Sequence, residues 1–438
     1  MLLGVIGDDF TGSSDIANNL KKAGMSVGMY SGVPDNKMKL NKYNAVVIAL
    51  KTRTIPIKKA ISESVKALEW LKSKKCKKII FKYCSTFDST KKGNIGPVID
   101  AIMKNLNVDF TIACPSFPDA GRTLYQGHMF VNGIPLNESG MENHPLTPMT
   151  DHNLVRWLNY QTKGKVDLIN SVTIKEGAKS IKKRITELKK SNVKYAITDT
   201  LDNQDFDLIC SGTDNLKFLT GGSGIALGLP KVFKKKGMLK KSNSKLPNVK
   251  GNTIILSGSC SLATNEQVEL YKKSNPSLFI SPEELIKNEN YHNEIIEWIL
   301  RHSKKRPLIY STALPKKVSL YQKKFGSKIS SKIETLFQKI IKNIYKYNFN
   351  KIVCAGGETS GAIVKALMIK ELQIGEEISA GVPVMWEPEK NIKITLKSGN
   401  FGQKDFFSRA LKKLENYIFL NFESASINVK PFSISNIA

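Results

Sequence analysis

The first 120 residues alternate short, wholly apolar runs with amphipathic stretches. The apolar runs are Leu2 to Ile6, Ala45 to Leu50, Ile79 to Tyr83 and Phe110 to Cys114. Between them, apolar residues recur at helical spacing. Ile16, Ala17, Leu20 and Ala23 form one stripe; Ile57, Ala60, Ile61, Val65, Leu68 and Leu71 a second; Ile95, Val98, Ile99, Ile102, Met103 and Leu106 a third. Ser13 or Ser14 can cap the first helix and Gly24 can stop it. Runs that are apolar at every position, rather than at alternate ones, are buried on both faces. The pattern therefore predicts a parallel sheet covered by helices.

Alternation resumes from Lys165 to Leu219. A second α/β unit starts at Thr253, with strands expected at Thr253–Leu256, Leu308–Ser311, Ile352–Ala355 and Ile392–Leu396. Residues 123–165 are rich in Gly, Pro and Asn and show little periodicity, so they read as a long loop, functional or disordered. Pro230 to Lys250 carries neither a helical stripe nor a strand run and reads as a linker. The fold class is α/β with two domains: residues 1–229, a basic linker 230–250, a second α/β domain 251–414, and a C-terminal tail 415–438.

The residues just past each strand carry the chemistry, because ligands of open α/β sheets bind at the carboxyl ends of the strands. Asp8 and Asp9 come directly after the first strand. Two adjacent carboxylates need a cation, a metal or a polyol beside them, and they are the candidate catalytic pair. Arg53, Lys82 and Arg122 are cations at or near strand ends, suited to an anionic ligand. Ser85, Asp88, Ser89 and Asn94 lie past the third strand and offer hydroxyl, carboxylate and amide groups to a polyol. His144 sits between Asn143 and Pro145 in the long loop. In the second half, Ser257-Gly258-Ser259-Cys260-Ser261 and Gly356-Gly357-Glu358-Thr359 each succeed a strand and open a helix, and Lys397-Ser398-Gly399-Asn400-Phe401-Gly402 succeeds a third strand. Small residues there let backbone N–H groups approach phosphate. No Walker-type P-loop occurs. Thr220-Gly221-Gly222-Ser223-Gly224 lacks the spacing and the acidic partner of a dinucleotide fingerprint.

Composition changes the picture in two ways. Lys plus Arg total 67 against 38 Asp plus Glu, a net charge of +29. That invites a nucleic-acid-binding reading, but only seven of the 67 are Arg, the residue suited to reading phosphates and bases. A solvated lysine-rich surface is the reading adopted. The six cysteines form no C-x-x-C pair and read as reduced thiols of a cytoplasmic enzyme. No run approaches a membrane span.

Taken together, these motifs resemble the four-carbon acid sugar kinase family over about residues 1 to 410. The marks are Gly7-Asp8-Asp9-Phe10-Thr11-Gly12, Thr220-Gly221-Gly222-Ser223-Gly224, Gly356-Gly357-Glu358-Thr359-Ser360 and Lys397 to Gly402. Phe81 to Thr90 with Gly93-Asn94, together with Glu138 to Met141 and Asn143-His144-Pro145, resembles the 3-oxo-tetronate kinase branch. The resemblance implies an N-terminal acid-sugar domain, a C-terminal ATP domain and a cleft between them. It implies phosphorylation of the 4-hydroxyl of 3-oxo-tetronate by ATP with Mg²⁺. It places ATP contacts at Ser257 or Ser259, at Gly356, Gly357, Glu358 and Thr359, and near Gly402; Gly399 joins them from the loop pattern. Metal ligands are not assigned. The partners expected are the acid-sugar substrate and ATP, with a homodimer left open and no specific nucleic acid or membrane. A threonate or erythronate kinase is the neighbouring alternative.

Overall fold

The structure, a computed structural model, describes residues 1–35, 42–144, 146–239, 245–326 and 328–415. Each wholly apolar run of the chain becomes a buried strand. In the first half these are β1 (Leu3–Gly7), β3 (Ala45–Ala49), β4 (Lys78–Lys82) and β5 (Thr111–Cys114); β2 (Val27–Ser31), of mixed residues, comes between the first two. A small separate sheet comes next, with β6 (Arg122–Tyr125), β7 (His128–Val131) and β8 (Ile134–Pro135). Then come β9 (Lys165–Ile169), β10 (Val193–Thr198) and β11 (Phe218–Gly221). The strands β2-β3-β1-β4-β11-β5-β10-β9 lie side by side, all parallel.

The second half supplies β12 (Thr253–Ser257), β13 (Ser277–Phe279), β14 (Leu308–Tyr310), β15 (Lys351–Ala355), β16 (Glu371–Ser379), β17 (Val382–Glu387) and β18 (Ile392–Lys397). Here β13-β14-β12-β15-β18 are parallel, and β17 and β16 continue the sheet antiparallel. The two halves are not separate sheets. β16 pairs antiparallel with β2, Leu372 opposite Met29, which makes one sheet of 15 strands.

Three expectations need correction. Residues 123–165 are not a structureless loop: β6 to β8 form an antiparallel meander and Leu154–Asn159 is helical. The signal was in the turns. Gln126-Gly127 and Asn132-Gly133 both have positive φ at both positions, the two-residue geometry that favours hairpins. The linker is partly helical, with Leu229–Lys235 turning Leu229, Val232 and Phe233 into the first core. A stripe of three among lysines is too short to register as a period. Of that segment, residues 240–244 lie outside the described residues, as does the tail from 416. Glu415 belongs to the last helix, Phe406–Glu415, and binds Arg306 at 2.7 Å. Among the described residues no helix is long and apolar enough to cross a membrane.

Side chains reinforce the seam between the halves. The Tyr43 hydroxyl donates to Glu371 Oε1 at 2.6 Å. On the helix Phe10–Lys22, Asn18 donates to Glu377 Oε1 at 2.7 Å and Lys22 binds Glu377 at 2.9 Å. A β-carbon on Gly28 would stand 2.3 Å from the Tyr43 ring, so β2 needs glycine there for the ring to lie flat against the seam. Gly28→Ala is expected to cost about 1–3 kcal/mol through overpacking, read as a lower midpoint in urea unfolding.

Candidate active site

The floor of the first domain's site is an ion cluster. Arg53 grips Asp8 with two bonds, Nε to Oδ2 at 2.8 Å and Nη2 to Oδ1 at 3.0 Å. Its Nη2 also donates to Asp9 Oδ1 at 2.7 Å, and its Nη1 lies 3.5 Å from Asp88. Lys82, buried, reaches Asp9 Oδ1 at 3.4 Å. The other oxygen of Asp9 caps the Phe10–Lys22 helix, accepting from the Gly12 N–H at 3.1 Å and the Thr11 hydroxyl at 2.8 Å. Burial opposes ionisation of Asp9, yet Arg53 and Lys82, with the cap bonds, hold its carboxyl well below the usual range. Burial pushes Asp8 up, against the pull of Arg53. Gly12 must be glycine: a β-carbon there would collide with Lys82 Nζ.

Asp8, Asp9, Arg53, Lys82 and Asp88 therefore converge, but not in the roles expected of each. Arg53 is engaged by three carboxylates and is not a free cation. Asp8 and Asp9 commit their oxygens to Arg53, Lys82 and the helix cap, and the cations around Asp9 make it a poor proton acceptor. Ser89 is used up by structure: it donates to the Phe87 carbonyl and accepts from Trp157 Nε1 at 3.1 Å and Gln161 Nε2 at 2.9 Å. The Asn94 amide donates to the carbonyls of Thr52, Arg53 and Ile55, so it holds the Arg53 loop and does not face a ligand. Ser85 is half-buried beside Gly222, its Cα 3.4 Å from where a Gly222 β-carbon would stand. Arg122 bonds the Ala120 carbonyl through Nη1, and its Nε is buried with no partner. His144 contacts its own loop: Nδ1 accepts from the Thr147 N–H at 3.0 Å.

In the second domain the three loops expected at strand ends meet. Gly356, at φ +124°, opens the helix Gly357–Ala366, and a β-carbon there would stand 3.0 Å from Ser259 N. One on Gly399 would stand 2.5 Å from Ser259 Oγ. Ser257 is fully buried and bonds Thr312 at 2.7 Å, so it supports the loop from below while Ser259 stays accessible. Glu358 is exposed at the helix start and Thr359 is buried. Gly402 turns at φ +81°. Beside these loops lies a mainly apolar cavity of about 200 Å³ whose walls include Ile280, Val318, Tyr321, Ile333 and Phe337, with Gly258, Glu358 and Thr359 at its lip. An apolar slot beside a backbone-rich loop suits a flat nucleobase joined to phosphates.

Comparison with known proteins matches this division. The family described as "Sugar-binding N-terminal domain" matches residues 3–229, and "Nucleotide-binding C-terminal domain" matches residues 254–407. The 3-oxo-tetronate kinase of Burkholderia multivorans is 44% identical over 94% of this chain and 97% of its own. That of Haemophilus influenzae is 42% identical over 93% and 99%. The chain belongs to the four-carbon acid sugar kinase family, in its 3-oxo-tetronate kinase branch. A crystal structure from Salmonella typhimurium, described as a putative tRNA synthase, is 37% identical, with TM-score 0.88 over 94% of this chain and 99% of that one. One from Haemophilus influenzae is 40% identical, with TM-score 0.80 over 94% and 100%.

Two residues of this family member escape a reading of motifs. Asp15 lies one turn beyond the Gly7–Gly12 motif, buried at the domain seam. Its Oδ2 accepts from Ser223 at 2.5 Å and its Oδ1 has no partner. A β-carbon on Gly381, in the β16–β17 turn, would come within 2.8 Å of that Oδ1 and of Phe401. Lys51, just past β3, reaches the helix Gly357–Ala366, its Nζ 2.8 Å from where a Gly361 β-carbon would stand. Only the spatial meeting of the domains reveals either. If Asn94 acts by holding the Arg53 loop, Asn94→Ala should lower kcat/KM by ~10-fold or more, since three carbonyls lose their donor and the clamp shifts. Circular dichroism should stay native. Unchanged kcat/KM would remove that role.

Proposed function

We propose that the protein transfers the γ-phosphoryl group of ATP to the 4-hydroxyl of 3-oxo-tetronate, giving the 4-phosphate and ADP. Residues 1–229 hold the acid sugar and residues 251–414 hold the nucleotide. The observation that carries the reading is the meeting of two unlike sites at one seam: a buried ion cluster at the ends of β1, β3 and β4, and glycine loops beside an apolar slot at the ends of β12, β15 and β18.

The relatives' printed activity supplies the substrate class, and this chain's residues fit it. Lys82 uses one contact on Asp9 and Arg122 keeps an unpartnered Nε, so these two are the cations left for the substrate carboxylate. Asp8, Asp9 and Asp88 fix Arg53 and Lys82 in place, so their N–H groups are preorganised. Lys51 reaches across the seam to the Gly357–Ala366 helix at Gly361, a further cation for the developing charge on the transferred group. The adenine occupies the slot walled by Tyr321, Ile333 and Phe337, with the phosphates over Ser259, Gly356 to Thr359, Gly399 and Gly402. Among the described residues no group of three His, Cys, Asp or Glu forms a ready metal site. Magnesium fits only as an ion carried by the nucleotide, with the exposed Glu358 as the protein group that would hold it. When bound it neutralises triphosphate charge.

The proton of the substrate hydroxyl goes to Asp15 rather than to Asp8 or Asp9. Burial pushes Asp15 up to about 6, with the Ser223 bond and Lys82 pulling the other way, and the buried Oδ1 has no partner. A base is most effective when its pKa lies near the working pH. Asp15→Asn should lower kcat by ~10²-fold or more and remove an acid limb near pH 6 from the rate profile. A folded-state value above the ordinary 3.8 means ionised Asp15 costs stability, fully so above pH 6. The same variant should therefore be more stable at pH 7, by up to about 3 kcal/mol, in urea unfolding. Near-normal turnover would remove Asp15 from the role.

The reading itself is tested by a coupled ADP assay with ATP, Mg²⁺ and a panel of four-carbon acids. We expect kcat/KM for 3-oxo-tetronate to exceed that for threonate and erythronate by ~10²-fold, as expected where a site pairs polar groups with one substrate and leaves them unpaired with another. Preference for threonate or erythronate would move the protein to the neighbouring activity, and no turnover of any acid would end the reading.

A further inference from the structure

Lys397, the last residue of β18, is fully buried, yet no carboxylate pairs with it among the described residues. Its ammonium donates to three neutral oxygens: Thr264 Oγ1 at 2.8 Å, the Gly399 carbonyl at 2.9 Å and the Ser398 carbonyl at 3.2 Å. It also lies 5.7 Å from the Phe406 ring centre. The charged side chains on the surrounding elements are occupied elsewhere or exposed. Glu266 faces Lys404, Glu269 binds Lys272, Glu415 binds Arg306, Glu376 binds Lys413, Glu377 binds Lys22, and Glu358 is exposed. Burying a cation without a counter-charge is costly unless something else supplies one.

The knot around Lys397 also sets the loop. The Gly399 carbonyl accepts from Lys397, from Ser261 Oγ at 2.6 Å and from Thr264 Oγ1 at 2.8 Å. In a trans peptide the N–H points opposite to the carbonyl. With the carbonyls of Ser398 and Gly399 drawn inward, the N–H groups of Gly399 and Asn400 face away from the knot. Neither finds a protein acceptor among the described residues. Two successive outward N–H groups form an anion-binding concavity.

We propose that Lys397 is a positioning residue for the nucleotide: from behind, it turns the Gly399 and Asn400 N–H groups toward the phosphates of ATP, which supply the counter-charge it lacks. This deepens the kinase reading and rests on it. Burial holds the Lys397 ammonium down to about 7. A bound polyphosphate raises it again, so binding takes up a proton above pH 7. Affinity due to this charge is full below the free value and fades as pH rises past it.

The test is calorimetric titration of ADP, without metal, into the full chain at about pH 8 in two buffers of different ionisation enthalpy. Wild type should take up on the order of half a proton. Lys397→Met should take up none and bind ADP ~10-fold or more weakly. Lys397→Arg, which keeps its charge at all accessible pH, should bind with an affinity that no longer falls from pH 7 to 9. Wild-type binding without proton uptake overturns the role of Lys397 while leaving the kinase reading intact. Should Lys397→Met not fold, that wild-type measurement still decides. Absence of ADP binding overturns both, whereas ADP binding with no acid phosphorylated leaves Lys397 standing and ends only the acid-sugar reading.

Discussion

The backbone ladder between β16 and β2 is the constraint on which everything else hangs. β2 ends the parallel run of the first half and β16 ends the antiparallel extension of the second, and each would be an open edge without the other. Pairing Glu371, Leu372 and Gln373 with Tyr30, Met29 and Gly28 closes both edges and sets where the Phe10–Lys22 helix lies. That helix then carries Asp15 and Asn18 against the β16–β17 hairpin, while its first turn is fixed by Asp9 to the ion cluster. One helix thus joins the ion cluster, the seam and the turn facing Phe401.

Within this frame the ion cluster obeys a simple balance of charge. Three carboxylates and two cations share a mostly buried space, so removing one member strands the others. For Asp9 the cations that anchor it also hold down its affinity for a proton. The division between anchoring acids (Asp8, Asp9, Asp88) and an acid with an unpartnered oxygen (Asp15) is a consequence of that packing.

Much of this was legible in the chain. Short runs that are apolar nearly throughout mark buried strands, which is why β1, β3, β4, β5, β12, β14 and β15 appear where the pattern puts them. The convergence of Asp8, Asp9, Arg53, Lys82 and Asp88 results from the strand-end rule. The features that stayed hidden depend on partners that spacing does not encode. Ser89 and Asn94 are of the right type for a polyol, but Trp157, Gln161 and the Thr52–Ile55 carbonyls claim them first. β2 and β16 carry mixed residues because half of their cover comes from the other end of the chain. Asp15 looks like an ordinary polar position of an amphipathic helix until the second domain covers it.

Asp15 and Lys397 share a property that no fold requires. Each is a buried ionisable group with no ion pair among the described residues, one pushed up and the other down toward neutrality, with desolvation as the leading cause. An apolar residue of similar size would pack either site with less cost, so the fold is less stable for having them. Both border the segment from Ser398 to Phe401, Lys397 through its carbonyls and Asp15 across the Gly381 turn. Violations of packing logic gathered on one loop, in a chain that otherwise obeys it, mark the place where ligand charge completes the structure.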